Sequence, residues 1–318
     1  MRRIDVFNGD ADGLCALHQL RLANPLDSEL VTGSKRENKL LERVSVSSGD
    51  EVTVFDISLD GNRESLSRIL DDGAKVLFFD HHYIGAPFSH PALETYVNTA
   101  PNVCTSLLVD RYLGGRHRPW AIVGAFGDNL GAVAWTLANE AGLDITRIAQ
   151  LSELGECLNY NAYGESVQDL FFHPADLYLS LKPFDDPFAF IAESPVLGTL
   201  RAGFWDDWSR ARSIAPAETK GNGAAYILPN EPWARRIAGV FANRLAAEAP
   251  ATAYAILVRG SEDVYSVSVR APILNPEGAD ELCHCFETGG GRKGAAGVSK
   301  LPIQDLDRFL VEFFARFG

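Results

Sequence analysis

Three things are scarce in this sequence: cysteines in a framework, long apolar runs and basic charge. The five cysteines are odd in number and follow no framework spacing. That excludes a disulfide scaffold and fits a reducing compartment. Cys283 and Cys285 flank His284, but no second pair completes a zinc set, so free thiols with packing roles are expected. No apolar run is long enough to span a membrane. The opening residues, Met1-Arg2-Arg3-Ile4-Asp5, lack the apolar core of a signal peptide. These absences predict a cytoplasmic protein with no membrane partner. The formal net charge of −13 argues against a protein that coats long nucleic acid. It leaves room for a small phosphorylated ligand, because bound divalent cations reverse charge locally. Repeats and low-complexity tracts are also absent.

What is present suits two domains: 318 residues, 46% hydrophobic and 22% charged. The organising stretch is Asp80-His81-His82, which follows the apolar run Ala74 to Phe79. Such a run, opened by Gly73, predicts a buried strand. Titratable groups at its carboxyl end lie where open α/β sheets place their ligand crevice.

The pattern recurs. Arg3 to Asn8 predicts a first strand, followed by Gly9-Asp10-Ala11-Asp12-Gly13 and a helix carrying Leu14, Leu17 and Leu20. Asp10 and Asp12 suit either a ligand pair or an acidic turn with a helix N-cap. Leu30 to Gly33 predicts a strand; Lys35 and Arg36 beyond it either hold a phosphate or start a solvated helix. Glu51 to Phe55 predicts another strand, again ending in a carboxylate, Asp56. Strands alternating with helices imply βαβ units and a mostly parallel sheet. Further on, Gly127-Asp128-Asn129 interrupts an apolar helical segment, an acidic break that points to function rather than core. Asn159 to Gly164 reads as a polar-aromatic turn, suited to substrate contact or to helix packing. Prolines 183, 187 and 195 suggest a connection between domains.

The expected division is a first domain at 1–185, a linker at 186–222 and a second domain at 223–318. The second domain carries predicted strands at Ala224 to Leu228, Tyr254 to Val258 and Val264 to Val269, the last two split by Gly260-Ser261-Glu262-Asp263 as a hairpin. Gly289-Gly290-Gly291-Arg292-Lys293 follows. Its spacing is wrong for a dinucleotide fingerprint, but free backbone amides beside Arg292, Lys293 and Arg270 suit an anion. A flexible surface loop is the other reading.

Asp10, Asp12, Asp56, His81 and Asp128 form an oxygen-rich set with one imidazole, which suits Mn²⁺ or Mg²⁺. One or two such ions would support hydrolysis at phosphorus. His82 could bind a phosphate oxygen or protonate a leaving group, and Asp80 could orient either histidine.

Taken together, Asp10-Ala11-Asp12-Gly13, Asp56, Asp80-His81-His82, Gly127-Asp128-Asn129, Ser268-Val269-Arg270 and Gly289 to Gly297 resemble the DHH phosphoesterase superfamily with its DHHA1 second domain. The resemblance implies a mostly parallel α/β DHH domain joined to a smaller α/β DHHA1 domain, with the active site in the interdomain cleft. It implies Mn²⁺- or Mg²⁺-dependent hydrolysis of phosphoesters or phosphoanhydrides. Asp10 and Asp56 would hold one ion; Asp12, Asp56, His81 and Asp128 would hold the other. His82 and Asp80 would be catalytic, and Arg270, Gly289, Gly290, Gly291, Arg292 and Lys293 would hold substrate. Two departures stand out. Val6 occupies a position where many relatives carry a metal-binding histidine, which leaves the first metal site weak, filled by Asn8 and water, or empty, and Arg292 stands where the glycine signature has histidine. The expected activity is a phosphodiesterase or phosphatase acting on short oligonucleotides or small nucleotides, with exonuclease relatives. A phosphoanhydride hydrolase and a non-catalytic nucleotide-binding module are the alternatives, and the chain is compatible with a homodimer.

Overall fold

A computed structural model of the chain describes residues 1–260 and 263–318. It divides into two units, Met1–Ala202 and Gly203–Gly318. The first contains β1 (Arg3–Asn8), α1 (Ala11–Ala23), β2 (Glu29–Gly33), β3 (Glu51–Phe55), α2 (Arg63–Asp71), β4 (Lys75–Asp80) and β5 (Leu93–Val97). Helices then follow one another: α3 (Thr105–Tyr112), α4 (Arg118–Gly127), α5 (Gly131–Glu140), α6 (Ile145–Ala162), α7 (Pro174–Leu181), α8 (Pro187–Glu193) and α9 (Pro195–Ser213).

The strands form one parallel sheet in the order β2-β1-β3-β4-β5. Their two-residue period sends alternate side chains to opposite faces. Ile4, Val6, Val52, Val54, Val76 and Phe78 pack against Leu66, Ile69 and Leu70 of α2 on one face. On the other, Phe7, Phe55 and Phe79 pack with α1, α3 and α4. Because all five strands run the same way, Asn8, Phe55 and Asp80 end on one edge. Asp10, Asp56 and the Asp80-His81-His82 triplet are therefore neighbours by topology.

Asp128 reaches that edge through close helix crossings. A Cβ on Gly127 would sit 2.3 Å from Ala11 Cβ, and one on Gly155 would sit 2.4 Å from the Val123 carbonyl oxygen. Neither distance is sterically allowed, so the absence of side chains there lets α1, α4 and α6 meet backbone to backbone.

The second unit contains β6 (Glu218–Lys220), β7 (Gly223–Leu228), α10 (Pro232–Glu248), β8 (Ala253–Arg259), β9 (Val264–Arg270), α11 (Ala279–His284), β10 (Gly289–Arg292), β11 (Ala295–Pro302) and α12 (Leu306–Phe317). Its sheet runs β10-β11-β9-β8-β7-β6, with β7 and β8 parallel and the other neighbours antiparallel. Ala255, Leu257, Val267 and Val269 bury one face against Leu282, Phe309 and Phe313 of α11 and α12. On the other face Tyr226 meets Phe241 of α10 edge to face at 5.3 Å. All five cysteines are free thiols. No helix among the described residues is long and apolar enough to cross a membrane.

Several expectations need correction. The stretch 186–222, expected as a partly helical linker around Trp205 and Trp208, holds α8, α9 and β6, and the division between units falls inside α9 rather than at 185 and 223. Pro187 and Pro195 open helices, where the missing amide costs nothing. Asp186 accepts from the Phe188 amide at 3.1 Å, and Ser194 Oγ from the Val196 amide at 3.3 Å. Phe190, Val196, Leu197 and Leu200 are buried in the first unit's core. Residues 159–162 form the last turn of α6 rather than a free turn. The glycine run is an edge strand, β10, hairpinned to β11, rather than a loop. Ser261 and Glu262, at the tip of the expected β8–β9 hairpin, lie outside the described residues.

One buried histidine gives the first unit a pH dependence. His18 on α1 bonds the Phe184 carbonyl through Nε2 at 2.9 Å and meets the Trp120 ring edge at 4.6 Å. Burial pushes its pKa down from 6.5 to about 4, so it is neutral in the folded protein at neutral pH. The unfolded chain therefore takes up a proton on His18 before the folded one does. Its contribution is intact above pH 6.5 and is lost as pH falls towards 4, reaching about 3 kcal/mol. Denaturant unfolding of His18→Gln should show a shallower loss of stability than the parent protein across that window. Identical pH slopes would mean that His18 titrates normally in the fold.

Candidate metal centre

Asp10 is the N-cap of α1: its Oδ1 accepts from the Asp12 and Gly13 amides, both at 3.1 Å. Gly13 is required beside it, because a Cβ there would lie 2.2 Å from the Asn8 carbonyl oxygen. The other oxygen of Asp10 takes Lys35 Nζ at 2.5 Å. Asp12, in the first turn of α1, is held by the N-terminus of α3. Its Oδ2 accepts from the Thr105 amide at 2.7 Å, and its Oδ1 from the Ser106 amide at 2.7 Å and from the Ser106 hydroxyl. Free amides and the helix dipole favour a carboxylate at that end.

Asp56 sits just past β3 in a left-handed conformation, φ 59°. Aspartate is among the few residues that adopt it at modest cost. Its Oδ1 accepts from Thr105 Oγ1 at 3.0 Å and lies 3.3 Å from His81 Nε2. The same nitrogen is 3.7 Å from Asp128 Oδ2 and 4.0 Å from Asp12 Oδ2. Ligand atoms about 2.1 Å from one octahedral ion, at right angles, are about 3 Å apart. Asp12, His81 and Asp128 form one set of converging ligand atoms, and Asp56, His81 and His82 form another. Asp80 Oδ1 accepts from the His81 amide at 2.8 Å and the His82 amide at 3.1 Å, and meets His82 Nδ1 at 2.7 Å. Asp80 thus engages the ring of His82.

Five carboxylates at this edge cannot all ionise easily. Burial pushes Asp56 well above the usual carboxylate range, reinforced by Asp10, Asp12, Asp128 and Asp80. Burial and Asp12 push Asp128 up to about 7 despite Lys35. Burial also works against charge on Asp10, but Lys35 outweighs it and holds that carboxyl below its ordinary value. Burial disfavours the Lys35 ammonium and the charged form of His82 as well. Asp10 chiefly holds Lys35 above its usual value, and Asp80 does the same for His82. Asp80 Oδ2 and Asn8 Oδ1 are buried without a hydrogen-bond partner among the described residues. A donor set of oxygens and one imidazole, over-supplied with negative charge and with an orphaned amide oxygen at the end of β1, fits a hard divalent cation.

Val6 is buried in the core with Ile4 and Val54, so it contributes nothing to the centre. Arg36 is exposed in the turn after β2. In the second unit, Arg292, Ala295, Arg270 and Tyr254 are register partners on four successive strands, so their side chains share one face. Gly290, Gly297 and Ser268 form the adjacent row on that face. Arg270 Nε donates to Asn243 Oδ1 at 2.7 Å, and Lys293 pairs with Glu277 at 3.2 Å. Gly289 and Gly291 lie on β10 in the alternate register.

Sequence reasoning missed the role of Thr105 and Ser106 as anchors for Asp12 and Asp56. The available signal was two hydroxyl residues opening a helix in a unit already rich in strand-end carboxylates. It also missed that Lys35 enters the acidic cluster, for which the sequence carries no local sign.

No protein-family model and no curated protein matches the sequence. Solved structures do match. The exonuclease RecJ bound to manganese aligns over 99% of this chain and 90% of its own, at 19% identity and a TM-score of 0.64. RecJ from Thermus thermophilus in complex with Mn²⁺ aligns over 100% of this chain but 52% of its own, at 19% identity and a TM-score of 0.63. The pGpG-specific phosphodiesterase PggH from Vibrio cholerae aligns over 99% of this chain and 98% of its own, at 14% identity and a TM-score of 0.58. At these identities the likeness is one of fold.

Proposed function

We propose that this chain is a divalent-metal-dependent phosphoesterase that hydrolyses short oligonucleotides or small nucleotides. The observation that carries the reading is the convergence of oxygens from Asp12, Asp56 and Asp128 on His81 Nε2, at 4.0, 3.3 and 3.7 Å. These four residues would hold Mn²⁺ or Mg²⁺, which when bound supplies Lewis-acid activation of water and charge neutralisation at a phosphate.

The chain's own groups do the rest. Thr105 and Ser106 fix the carboxylates of Asp56 and Asp12. Asp80 fixes His82 through Nδ1, which leaves Nε2 for substrate on a ring that is 43% exposed. With its proton affinity raised, His82 donates a proton to the departing oxygen. In the second unit, Arg270 and Arg292 share one sheet face, which suits charge-assisted binding of a phosphate group. Only Ala295 lies between the two arginines, and Gly290 and Gly297 keep the adjacent row low. Structures sharing the fold include an exonuclease and a pGpG phosphodiesterase, which supports a nucleotide substrate. A net charge of −13 suits a short one better than a long single strand.

The test is hydrolysis of pApA, pAp, a cyclic dinucleotide, pyrophosphate and polyphosphate with added Mn²⁺. Release from a nucleotide is expected; release from the inorganic phosphates alone would replace this reading with a phosphoanhydride hydrolase. Asp56→Asn should reduce turnover to background while circular dichroism stays unchanged, because asparagine tolerates the left-handed backbone but removes an anionic ligand. Near-normal turnover in that variant would sink the ligand assignment. Arg270→Ala should raise KM about ten- to a hundredfold with kcat little changed, the worth of a charged hydrogen bond of about 1.5–3 kcal/mol. A fall in kcat at constant KM would place the arginine in the transition state instead.

A further inference from the structure

We infer that the Lys35 ammonium is a built-in cation of the carboxylate centre, taking the place beside Asp10 where a second divalent ion would bind, so that the chain holds a single divalent ion. The inference rests on the reading of Asp12, Asp56, His81 and Asp128 as the site of that ion.

Lys35 is seated, not merely nearby. Its backbone amide donates to the Ala162 carbonyl at 3.0 Å, which ties the turn after β2 to the end of α6. Its Nζ lies 2.5 Å from Asp10 Oδ2, 3.4 Å from Asn159 Oδ1 and 3.8 Å from Asp128 Oδ1. The Tyr163 ring centroid is 5.7 Å away, within cation–π reach. Asn159 is itself oriented: its Nδ2 donates to the Tyr163 hydroxyl at 3.1 Å, so its carbonyl oxygen faces the ammonium. The polar-aromatic stretch at 159–163 is thereby a cradle for one lysine. An ammonium has three donors and no acceptor; Asp10 and Asn159 accept from it, and Asp128 adds an ion pair.

Asp10 is correspondingly committed. One oxygen caps α1 through two amides, and the other takes Lys35. It belongs to neither set of converging ligand atoms among the described residues. Val6, on the strand that leads to Asp10, lies in the buried core and offers no ligand. A divalent ion placed against Asp10 would meet the fixed positive charge of Lys35 and find few donors of its own. Lys35 is thus a positioning residue that holds Asp10 and supplies one permanent charge to the centre.

The deciding measurement is metal stoichiometry. The full-length protein is stripped with EDTA and titrated with MnCl₂, and bound manganese is counted by mass spectrometry of the metal and by electron paramagnetic resonance. The parent protein should bind one Mn²⁺ per chain with the signal of an isolated ion, and Lys35→Arg should do the same. Lys35→Ala, which frees Asp10, should take up a second ion and show spin coupling between the two. Two ions in the parent protein would overturn the inference and leave the metal-site reading standing. One ion in both the parent and a folded Lys35→Ala would also overturn it, since something other than the lysine then excludes the second. No bound manganese in the parent would overturn the metal-site reading, and this inference with it. If Lys35→Ala does not fold, Lys35→Gln, which keeps much of the side chain's bulk without its charge, is read the same way: a second ion supports the inference and a single ion overturns it.

Discussion

Repulsion among carboxylates at one edge of a buried sheet is the constraint around which the first unit is built. Asp10, Asp12, Asp56 and Asp80 are each at most 2% exposed, and Asp128 joins them from a helix end. Like charges in such surroundings disfavour one another's ionised forms. The fold answers in three ways. It spends the N-terminus of α3 on Asp12, an ammonium on Asp10 and the amides of the histidine pair on Asp80. Asp56 and Asp128 receive less, and they are the two carboxyls pushed upward. The remaining deficit of positive charge lies where His81 Nε2 meets three of the acids.

The scaffold is suited to carry such a load because its sheet is packed on both faces. Both sheet faces are closed by apolar clusters, and the stacked rings of Phe55, Phe79 and Tyr96, at 5.7 and 5.0 Å, run across neighbouring strands below the acids. Farther from the site, Asp5 and Arg21 form a buried two-pronged pair at 2.5 and 2.8 Å, joined by Thr53 and Ser28. That pair ties β1, α1 and β3 together at the opposite end of the strands. Strand ends held from both directions cannot drift apart under mutual repulsion.

The parts of this architecture that were legible in the sequence are those with local signatures. An apolar run followed by an acid announces a strand and its carboxyl end, which is how Asp56 and the Asp80 triplet could be placed on one edge. The parallel sheet followed from the spacing of strands and helices. What was illegible depends on contacts between distant residues. Thr105 lies 93 residues from the carboxylate it supports, and Lys35 lies 25 from Asp10 and 124 from Asn159. The supposed linker misled because proline reads as a breaker, while Asp186 and Ser194 turn Pro187 and Pro195 into helix starts. The glycine run misled for a related reason: glycine weakens a strand but does not forbid one at a sheet edge.

The crossing of α4 over α1 and α6 has a consequence for how the protein can vary. Asp128 owes its position to Gly127 and Gly155, neither of which has a side chain to bring to the centre. A single methyl group at that crossing must lever the helix outward, and the carboxylate travels with it. Inheritance can therefore alter the grip of the centre through residues that touch no ligand. In a lineage that keeps all its acids and both histidines, the size of the residue at these two glycines would report whether the centre is still closed.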